Sequence, residues 1–233
     1  MPPTPAALQL AKGEAYLARD NPQMALMALQ AADALEPDNP RTLAALGRVY
    51  DLQGRLPQAL SVLERAALLA PDNSDIAHNL GVALLKMERL DEAEAAFRRV
   101  LADPRFATSP DVHFNLALLY QRRNDTARMV AALKKTLELV PNHGPAHMML
   151  AVRAREEGRF EEEQSHLKAI LAANPTPVEE AVVLERLVES FMQSGQSSRA
   201  RALLRRLIEI LPPGSEEGRR AAERLSRLGG EAP

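Results

Sequence analysis

The stretches LEPDN at residues 35–39, LAPDN at 69–73 and LVPNH at 139–143 are near-copies of one another. The first two begin 34 residues apart. The same interval separates three glycines, which are Gly13, Gly47 and Gly81. A fixed period of this length is the signature of a chain built from repeated supersecondary units, each of which buries its apolar face against its neighbours.

Alignment on this period divides the chain into six repeats. Their ranges are about 6–39, 40–73, 74–109, 110–143, 144–180 and 181–214. The eighth position of each repeat is small or modest in size, and it is occupied in order by Gly13, Gly47, Gly81, Ala117, Ala151 and Val188. Each repeat closes near a proline, which lacks a backbone N–H and therefore ends a helix. Each repeat is therefore predicted to be two helices that cross where the small residues lie.

The twentieth position departs from this pattern in two repeats. Alanine occupies it in the first three and the last, but Met129 and Glu163 occupy it in the fourth and fifth. We expect the two helices to cross less tightly in these two repeats, because a larger side chain separates their backbones.

The period, with a small residue early in each unit and a proline late, resembles the tetratricopeptide repeat (TPR) family. The resemblance implies an all-α fold, a right-handed α-solenoid of six antiparallel helical hairpins over residues 1–214. Residues 215–228 have apolar residues at helical spacing and are predicted to form a capping helix. Residues 229–233 are expected to be a flexible tail.

Composition excludes several classes of function. The 233 residues contain no cysteine, so disulfides, thiol catalysis and thiolate metal sites are excluded. The net charge of −2 gives no indication of a nucleic-acid partner. His143 and His147 are separated by glycine and proline, and we predict no metal site there. No pattern for a catalytic residue or a cofactor is present, and no stretch is long and apolar enough to span a membrane.

The resemblance also implies that the first helix of each hairpin lines a concave face. Numbering by repeat places Leu10, Glu14 and Leu17 of the first repeat on this face, together with Ala44, Arg48 and Asp51 of the second. The central candidates for contact with a partner are His78, Asn79, Val82, Phe114, Asn115, Leu118, Met148 and Val152. A groove with an apolar centre and charged flanks is typical of a surface that binds protein.

Two of these candidates share one repeat position. Asn79 and Asn115 each offer a donor and an acceptor, so together they suit the backbone of an extended peptide. The alternative is that they bond only to their own helices or to water. Phe114 and Met148 have an alternative too, which is packing between neighbouring repeats.

Three functions remain open at this point. The first is a non-catalytic scaffold that binds a peptide or helix of a protein partner. The second is an assembly factor, because residues 102–120 resemble the inter-repeat insertion of the TPR lipoproteins called pilotins in type IV pilus systems. The third is a self-associating module that forms a homodimer. The chain is expected to be cytoplasmic if it is full length, and periplasmic or associated with the outer membrane if a leader was removed.

Overall fold

A computed structural model of the protein describes residues 2–229. All regular elements within this range are α-helices, so the predicted all-α fold class is confirmed. The thirteen helices are α1 (Pro5–Ala18), α2 (Pro22–Leu35), α3 (Pro40–Leu52), α4 (Leu56–Leu69), α5 (Ser74–Lys86), α6 (Leu90–Ala102), α7 (Pro110–Arg122), α8 (Thr126–Leu139), α9 (Gly144–Glu156), α10 (Phe160–Ala172), α11 (Pro177–Gln193), α12 (Ser197–Ile210) and α13 (Glu216–Arg227). The expected tail at 229–233 lies outside the described residues except for Gly229.

Local sequence explains where the first helices of the repeats begin. Thr4 caps α1 through a hydrogen bond that its hydroxyl accepts from the backbone N–H of Ala7. Asn39 and Asn73 cap α3 and α5 in the same way, each accepting from two backbone N–H groups. These caps satisfy N–H groups that have no partner within the helix. The motif that repeats in the sequence is therefore the end of one hairpin and the cap of the next.

The turn inside each hairpin has a left-handed residue at the fifteenth repeat position. These residues, all with positive φ, are Asp20, Gly54, Glu88, Asn124, Gly158 and Gly195. Glycine adopts this conformation without strain. In the other three residues the Cβ atom makes it less favourable. The recurrence shows that the repeat specifies the turn even where glycine is missing.

The small residues lie where the two helices of a hairpin cross. A Cβ atom built on Gly13 would lie 2.5 Å from Leu29 Cγ, and one on Gly47 would lie 2.5 Å from Leu63 Cγ. On Gly81 it would lie 2.7 Å from Phe97 Cε1. These distances are shorter than van der Waals contact, so only glycine allows the observed crossing in the first three hairpins.

The helices form two compact units, the first ending at Ala132 and the second beginning at Leu133. In the first unit α1, α3 and α5 pair with α2, α4 and α6, and each second helix also contacts the next first helix. In the second unit α9 pairs with α10 and α11 with α12. Helix α13 packs on α12 and contributes Ala221 and Leu225 to the core of that unit.

The insertion between the third and fourth repeats is held by one carboxylate. Asp103 accepts a hydrogen bond of 2.6 Å from the hydroxyl of Ser74, at the start of α5, and another of 2.6 Å from the guanidinium of Arg105. The Arg105 hydrogen bonds, with that of Ser74, hold the pKa of the Asp103 carboxyl well below its usual range. The Arg105 guanidinium also lies 5.7 Å from the centre of the Phe106 ring. The Phe106 side chain is half-buried.

Candidate functional site

The first helices of the repeats form one face of the first unit. Helix α3 contacts both α1 and α5, and α5 contacts α7. Helices α1, α3 and α5 line an open recess of about 520 Å³, which we call the inner recess. Its lining residues are Glu14, Arg41, Ala44, Ala45, Arg48, Asn73, Asp75, Ile76, His78 and Asn79. The inner face of this unit is thus a concave, mainly polar surface.

Two ion pairs connect successive first helices across this face. Arg41 on α3 lies 3.1 Å from a carboxylate oxygen of Glu14 on α1. Lys86 on α5 lies 2.6 Å from a carboxylate oxygen of Asp51 on α3. The Arg41–Glu14 pair is largely exposed and the Lys86–Asp51 pair is partly exposed, so each adds at most about 1 kcal/mol to stability. Their main effect is to neutralise four charges on the inner face.

Arg48 lies on α3 between these two pairs but forms no ion pair itself within residues 2–229. It is exposed and has no hydrogen-bond or ion-pair partner among the described residues. Asn79 on α5 also lacks a partner there, and it is half-buried. Both residues line the inner recess and a smaller adjoining hollow that includes Val82. This part of the face therefore presents free donors and an acceptor next to an apolar side chain.

The second asparagine, Asn115, uses its side-chain nitrogen in a hydrogen bond within the protein. The side-chain nitrogen of Asn115 on α7 lies 3.1 Å from Nε2 of His78 on α5. An amide nitrogen can only donate, so His78 must accept at Nε2 and carry its proton on Nδ1. Burial lowers the pKa of His78, although the nearby carboxylates of Asp111 and Asp75 act in the opposite direction. The bond joins α5 to α7 and leaves the Asn115 oxygen for another partner.

The remaining predicted residues divide between the two units. Val82, Phe114 and Leu118 are half-buried in the first unit. Met148 and Val152 are half-buried in the second, where Met148 packs against the core of that unit. The assignment of all eight residues to one binding site stays a prediction.

One part of the inner-face assignment is wrong. Leu10 and Leu17 are buried, in one apolar cluster with Ala45, Leu46 and Val49 of α3. They hold the first two hairpins together, because long leucine side chains on α1 reach across to α3. Of the three residues of the first repeat that were assigned to the inner face, Glu14 lines the inner recess and the two leucines do not.

The two ion pairs were not predicted from the sequence. The lack of a partner for Arg48 among the described residues was not predicted either. The paired residues are 27 and 35 residues apart, close to one repeat length. Opposite charges near that separation on first helices were therefore a usable signal. The freedom of Arg48 had no sequence signal, because it depends on which carboxylates its neighbours already hold.

The histidines of the second unit have structural partners. His143 caps α9, where its Nδ1 accepts from the backbone N–H of Ala146. Nε2 of His147 lies 2.8 Å from the carbonyl oxygen of Pro141, and its Nδ1 lies 2.9 Å from Nδ1 of His166. Residues 2–229 contain no group of three or more His, Asp or Glu side chains placed to hold a metal ion. Over the same range, no helix combines the length and apolar character needed to cross a membrane.

Solved structures with similar folds include two proteins of type IV pilus systems. PilW, described as a widely conserved type IV pilus biogenesis factor, has a TM-score of 0.78 at 20% identity, covering 94% of this chain and 99% of PilW. For pilF of Pseudomonas aeruginosa the TM-score is 0.70 at 20% identity, covering 92% and 95%. MamA has a TM-score of 0.59 at 21% identity, covering 69% and 92%. At these identities the likeness establishes the fold alone.

Matches to protein-family models show which family the chain belongs to. No curated protein matches the sequence. One tetratricopeptide repeat model matches residues 16–77 and 52–113, and a second matches 111–143. Together these matches cover residues 16–143, which is more than half of the 233 residues. The chain belongs to the tetratricopeptide repeat family.

Proposed function

We propose that this protein is a non-catalytic scaffold that binds an extended peptide or a helix of a protein partner along its inner face. The observation that carries the proposal is the inner recess, in which Arg48 and Asn79 have no partner of their own. Polar groups that lack partners within a protein gain most from a ligand that supplies them.

The chemistry of the recess favours a peptide backbone over a strongly charged ligand. Two arginines and two carboxylates line it, so their charges balance. The Asn79 carboxamide can donate to a backbone carbonyl and accept from a backbone N–H at the same time. Val82 and Leu118 supply half-buried apolar surface for side chains of the ligand. In this proposal His78, Phe114 and Asn115 extend the contact surface of the first unit, and Met148 and Val152 are proposed contacts in the second unit.

The test compares two double variants in capture of partners from the cells that make the protein. Arg48→Ala with Asn79→Ala removes the two free side chains of the recess. Gln30→Ala with Gln58→Ala is the control, because both glutamines are exposed on second helices. We expect the first variant to retain at least about tenfold less partner, equivalent to about 1.4 kcal/mol, and the control to behave as wild type. Equal capture by both variants, with unchanged thermal unfolding, would contradict the proposal.

The carboxamide pair has its own test. Asn79→Ala alone removes a free group, whereas Asn115→Ala also breaks the bond to His78. If the two asparagines act together on one peptide, the double variant loses more binding than either single variant. If Asn115 serves only to join α5 to α7, its substitution lowers stability and leaves affinity unchanged.

A second candidate function is assembly of a type IV pilus or secretion system. It is favoured by the near-complete coverage of both PilW and this chain in their superposition. This function would place the protein in the periplasm or at the outer membrane. Deletion of the gene should then abolish surface pili, and the Arg48→Ala/Asn79→Ala variant should fail to restore them. A deletion strain with normal pili would exclude this candidate.

Self-association as a homodimer is tested separately. Light scattering over a concentration series reports the mass of the free chain. A constant monomer mass up to about 100 μM would exclude a dimer with a Kd near 1 μM. It would leave the scaffold proposal unaffected.

A further inference from the structure

The small hollow that adjoins the inner recess has an apolar bottom. Its volume is about 50 Å³, and we call it the Gly47 hollow. Its lining residues are Gly47, Arg48, Asp51, Leu63, Asn79 and Val82. Gly47 and Leu63 meet where α3 crosses α4, and Leu63 is only 1% exposed, so the hollow reaches the core of the second hairpin. A cavity that holds a benzene ring measures about 150 Å³, so this hollow suits a small side chain instead.

The hairpins on either side show which side chain fills the corresponding place in them. Asp51 is at the twelfth repeat position, and the same position is leucine in the first and third hairpins, at Leu17 and Leu85. Both leucines are buried. Leu17 shares an apolar cluster with Leu29, which is the counterpart of Leu63. The Gly47 hollow therefore lies where the neighbouring hairpins bury a leucine of their own.

The Asp51 carboxylate is held by a partner on the next first helix. Both of its oxygens accept hydrogen bonds from Nζ of Lys86 on α5, at 2.6 and 2.8 Å. The Lys86 side chain is 45% exposed, so this ion pair holds the carboxylate toward the surface. A leucine at position 51 would lack this partner and would pack inward, as Leu17 and Leu85 do. Aspartate at this position therefore keeps the hollow open.

The polar side chains of the hollow carry one positive charge that is not neutralised within residues 2–229. Asp51 and Lys86 cancel each other, whereas Arg48 is exposed and has no ion-pair partner in that range. Asn79, on the opposite helix α5, has no hydrogen-bond partner there either. The hollow thus combines an apolar bottom with a free carboxamide and a free guanidinium.

These three features match an extended peptide of one kind. Alternate side chains of an extended chain point to the same side, about 7 Å apart. A small apolar side chain fits the hollow, and the carboxamide of Asn79 can donate to and accept from the peptide backbone beside it. An acidic side chain two residues away points to the same side and can pair with the guanidinium of Arg48.

We propose that the Gly47 hollow selects the sequence of the peptide that the inner face binds. The selected peptide has alanine or valine in the hollow and an acidic residue two positions away, beside Arg48. This selection rests on the inner-face binding proposed above and adds the side chains that are chosen. Asp51 determines the specificity, because it leaves the hollow open.

The experiment measures binding of labelled synthetic peptides to the whole chain by fluorescence anisotropy. The peptides have the sequence Gln-Glu-Thr-Val-Thr-Glu-Gln, with glutamate two residues to either side of the central valine. In a second peptide phenylalanine replaces valine, and in a third lysine replaces both glutamates. We expect the first peptide to bind at least about tenfold tighter than the second, because the ring is too large for the hollow. It should also bind at least about tenfold tighter than the third, because lysine cannot pair with Arg48.

Two substitutions of one residue separate the hollow from its charge. Asp51→Leu restores the leucine of the neighbouring hairpins and fills the hollow, so it should weaken binding of the valine peptide at least about tenfold. Asp51→Asn is the matched control, because it removes the same charge and keeps the hollow open, and it should not weaken binding. Arg48→Ala should remove the preference for glutamate over lysine and retain the preference for valine over phenylalanine. Thermal unfolding shows whether each variant is folded.

Three outcomes would overturn the selection by the Gly47 hollow. They are the absence of binding by every peptide, equal binding of the valine and phenylalanine peptides by the wild type, and equal binding of the valine peptide by folded Asp51→Leu and Asp51→Asn. The scaffold function is decided separately by the capture of partners from cells. Capture that depends on Arg48 and Asn79, together with any of these three outcomes, would retain the inner face as a binding surface and reject its selectivity.

Discussion

Glu94 in the third hairpin and Glu163 in the fifth are both buried near the crossing of their two helices, and their surroundings are very different. Glu94 accepts a hydrogen bond of 2.9 Å from the hydroxyl of Tyr120 and pairs with Arg98 at 2.6 Å and with Arg123. Glu163 is only 1% exposed, and within residues 2–229 the one polar partner of its side chain is Arg155 at 3.5 Å. Its other carboxylate oxygen has no partner within residues 2–229.

Burial of a carboxylate therefore says little about its contribution to stability until its partners are counted. Burial alone would raise the pKa of Glu94, but the hydrogen bonds of Tyr120 and Arg123 and the charges of Arg98 and Arg123 outweigh it, and the pKa is lowered. Glu94 is therefore a stabilising ion. Glu163 occupies a position that is alanine in four other repeats, and its unsatisfied oxygen costs free energy.

The largest effect is expected from Glu94→Ala. The substitution leaves the Tyr120 hydroxyl and the mostly buried Arg123 without their shared acceptor. We expect the free energy of unfolding to fall by roughly 2–3 kcal/mol. Urea denaturation measures it. Glu92→Ala is the control, because Glu92 is exposed and its partner Arg89 keeps Glu64. Equal losses in the two variants would show that the Glu94 cluster has no special role.

The next effect concerns the tight crossings of the first three hairpins. Gly47→Ala places a methyl group 2.5 Å from Leu63 Cγ, so the two helices of the second hairpin must separate. Overpacking of roughly 1–3 kcal/mol, less about 1 kcal/mol from the better helix propensity of alanine, leaves a net loss of up to about 2 kcal/mol. Gly144→Ala is the matched control, since no atom lies within 4 Å of the added carbon. A Gly47→Ala protein as stable as the control would mean that the crossing is not tight.

A smaller effect of opposite sign is expected from Glu163→Met. Methionine has a similar length and removes the unsatisfied oxygen, while Arg155 keeps Glu189 at 2.8 Å. Replacing a poorly paired buried ion with an apolar residue of similar volume should stabilise the protein by about 1 kcal/mol. Thermal unfolding of the two proteins provides the measurement. A lower melting temperature for Glu163→Met would show that the Arg155 contact outweighs the unsatisfied oxygen.

The smallest effect is the pH dependence of the Glu94 cluster. The pKa of Glu94 is lower in the folded state, so its stabilising contribution is complete above its unfolded pKa of about 4.5 and is lost as the pH falls through the folded pKa. The stability difference between wild type and Glu94→Gln should therefore be constant from neutral pH to about pH 5 and shrink on further acidification. A difference that grows in acid would have the wrong sign for this explanation.

The sequence predicts the helices well because the period constrains every repeat at once. Gly13, Gly47 and Gly81 identify crossings of the first three hairpins, where an added Cβ would overlap a side chain of the second helix. The left-handed turns were not predicted, because Asp20, Glu88 and Asn124 replace glycine at half of these positions. Repeat numbering therefore locates backbone features better than residue type alone does.

The candidate site was less predictable, because side-chain partners depend on orientation rather than on period. Asn79 and Asn115 share a repeat position, yet only Asn115 meets a histidine, since His78 lies on the preceding first helix. Leu10 was assigned to the inner face by its repeat position. Its long side chain is instead buried in the apolar cluster shared with α3. The repeat period is the same in both cases and does not distinguish them.

The most direct test of a partner-binding inner face is site-specific photo-crosslinking in the cells that make the protein. A photo-reactive residue replaces Val82 on the inner face or, in a second strain, Ser61 on the outer helix α4. The inner-face proposal predicts a covalent adduct with another protein from position 82 and none from position 61. An adduct from position 61 with none from position 82 would contradict it.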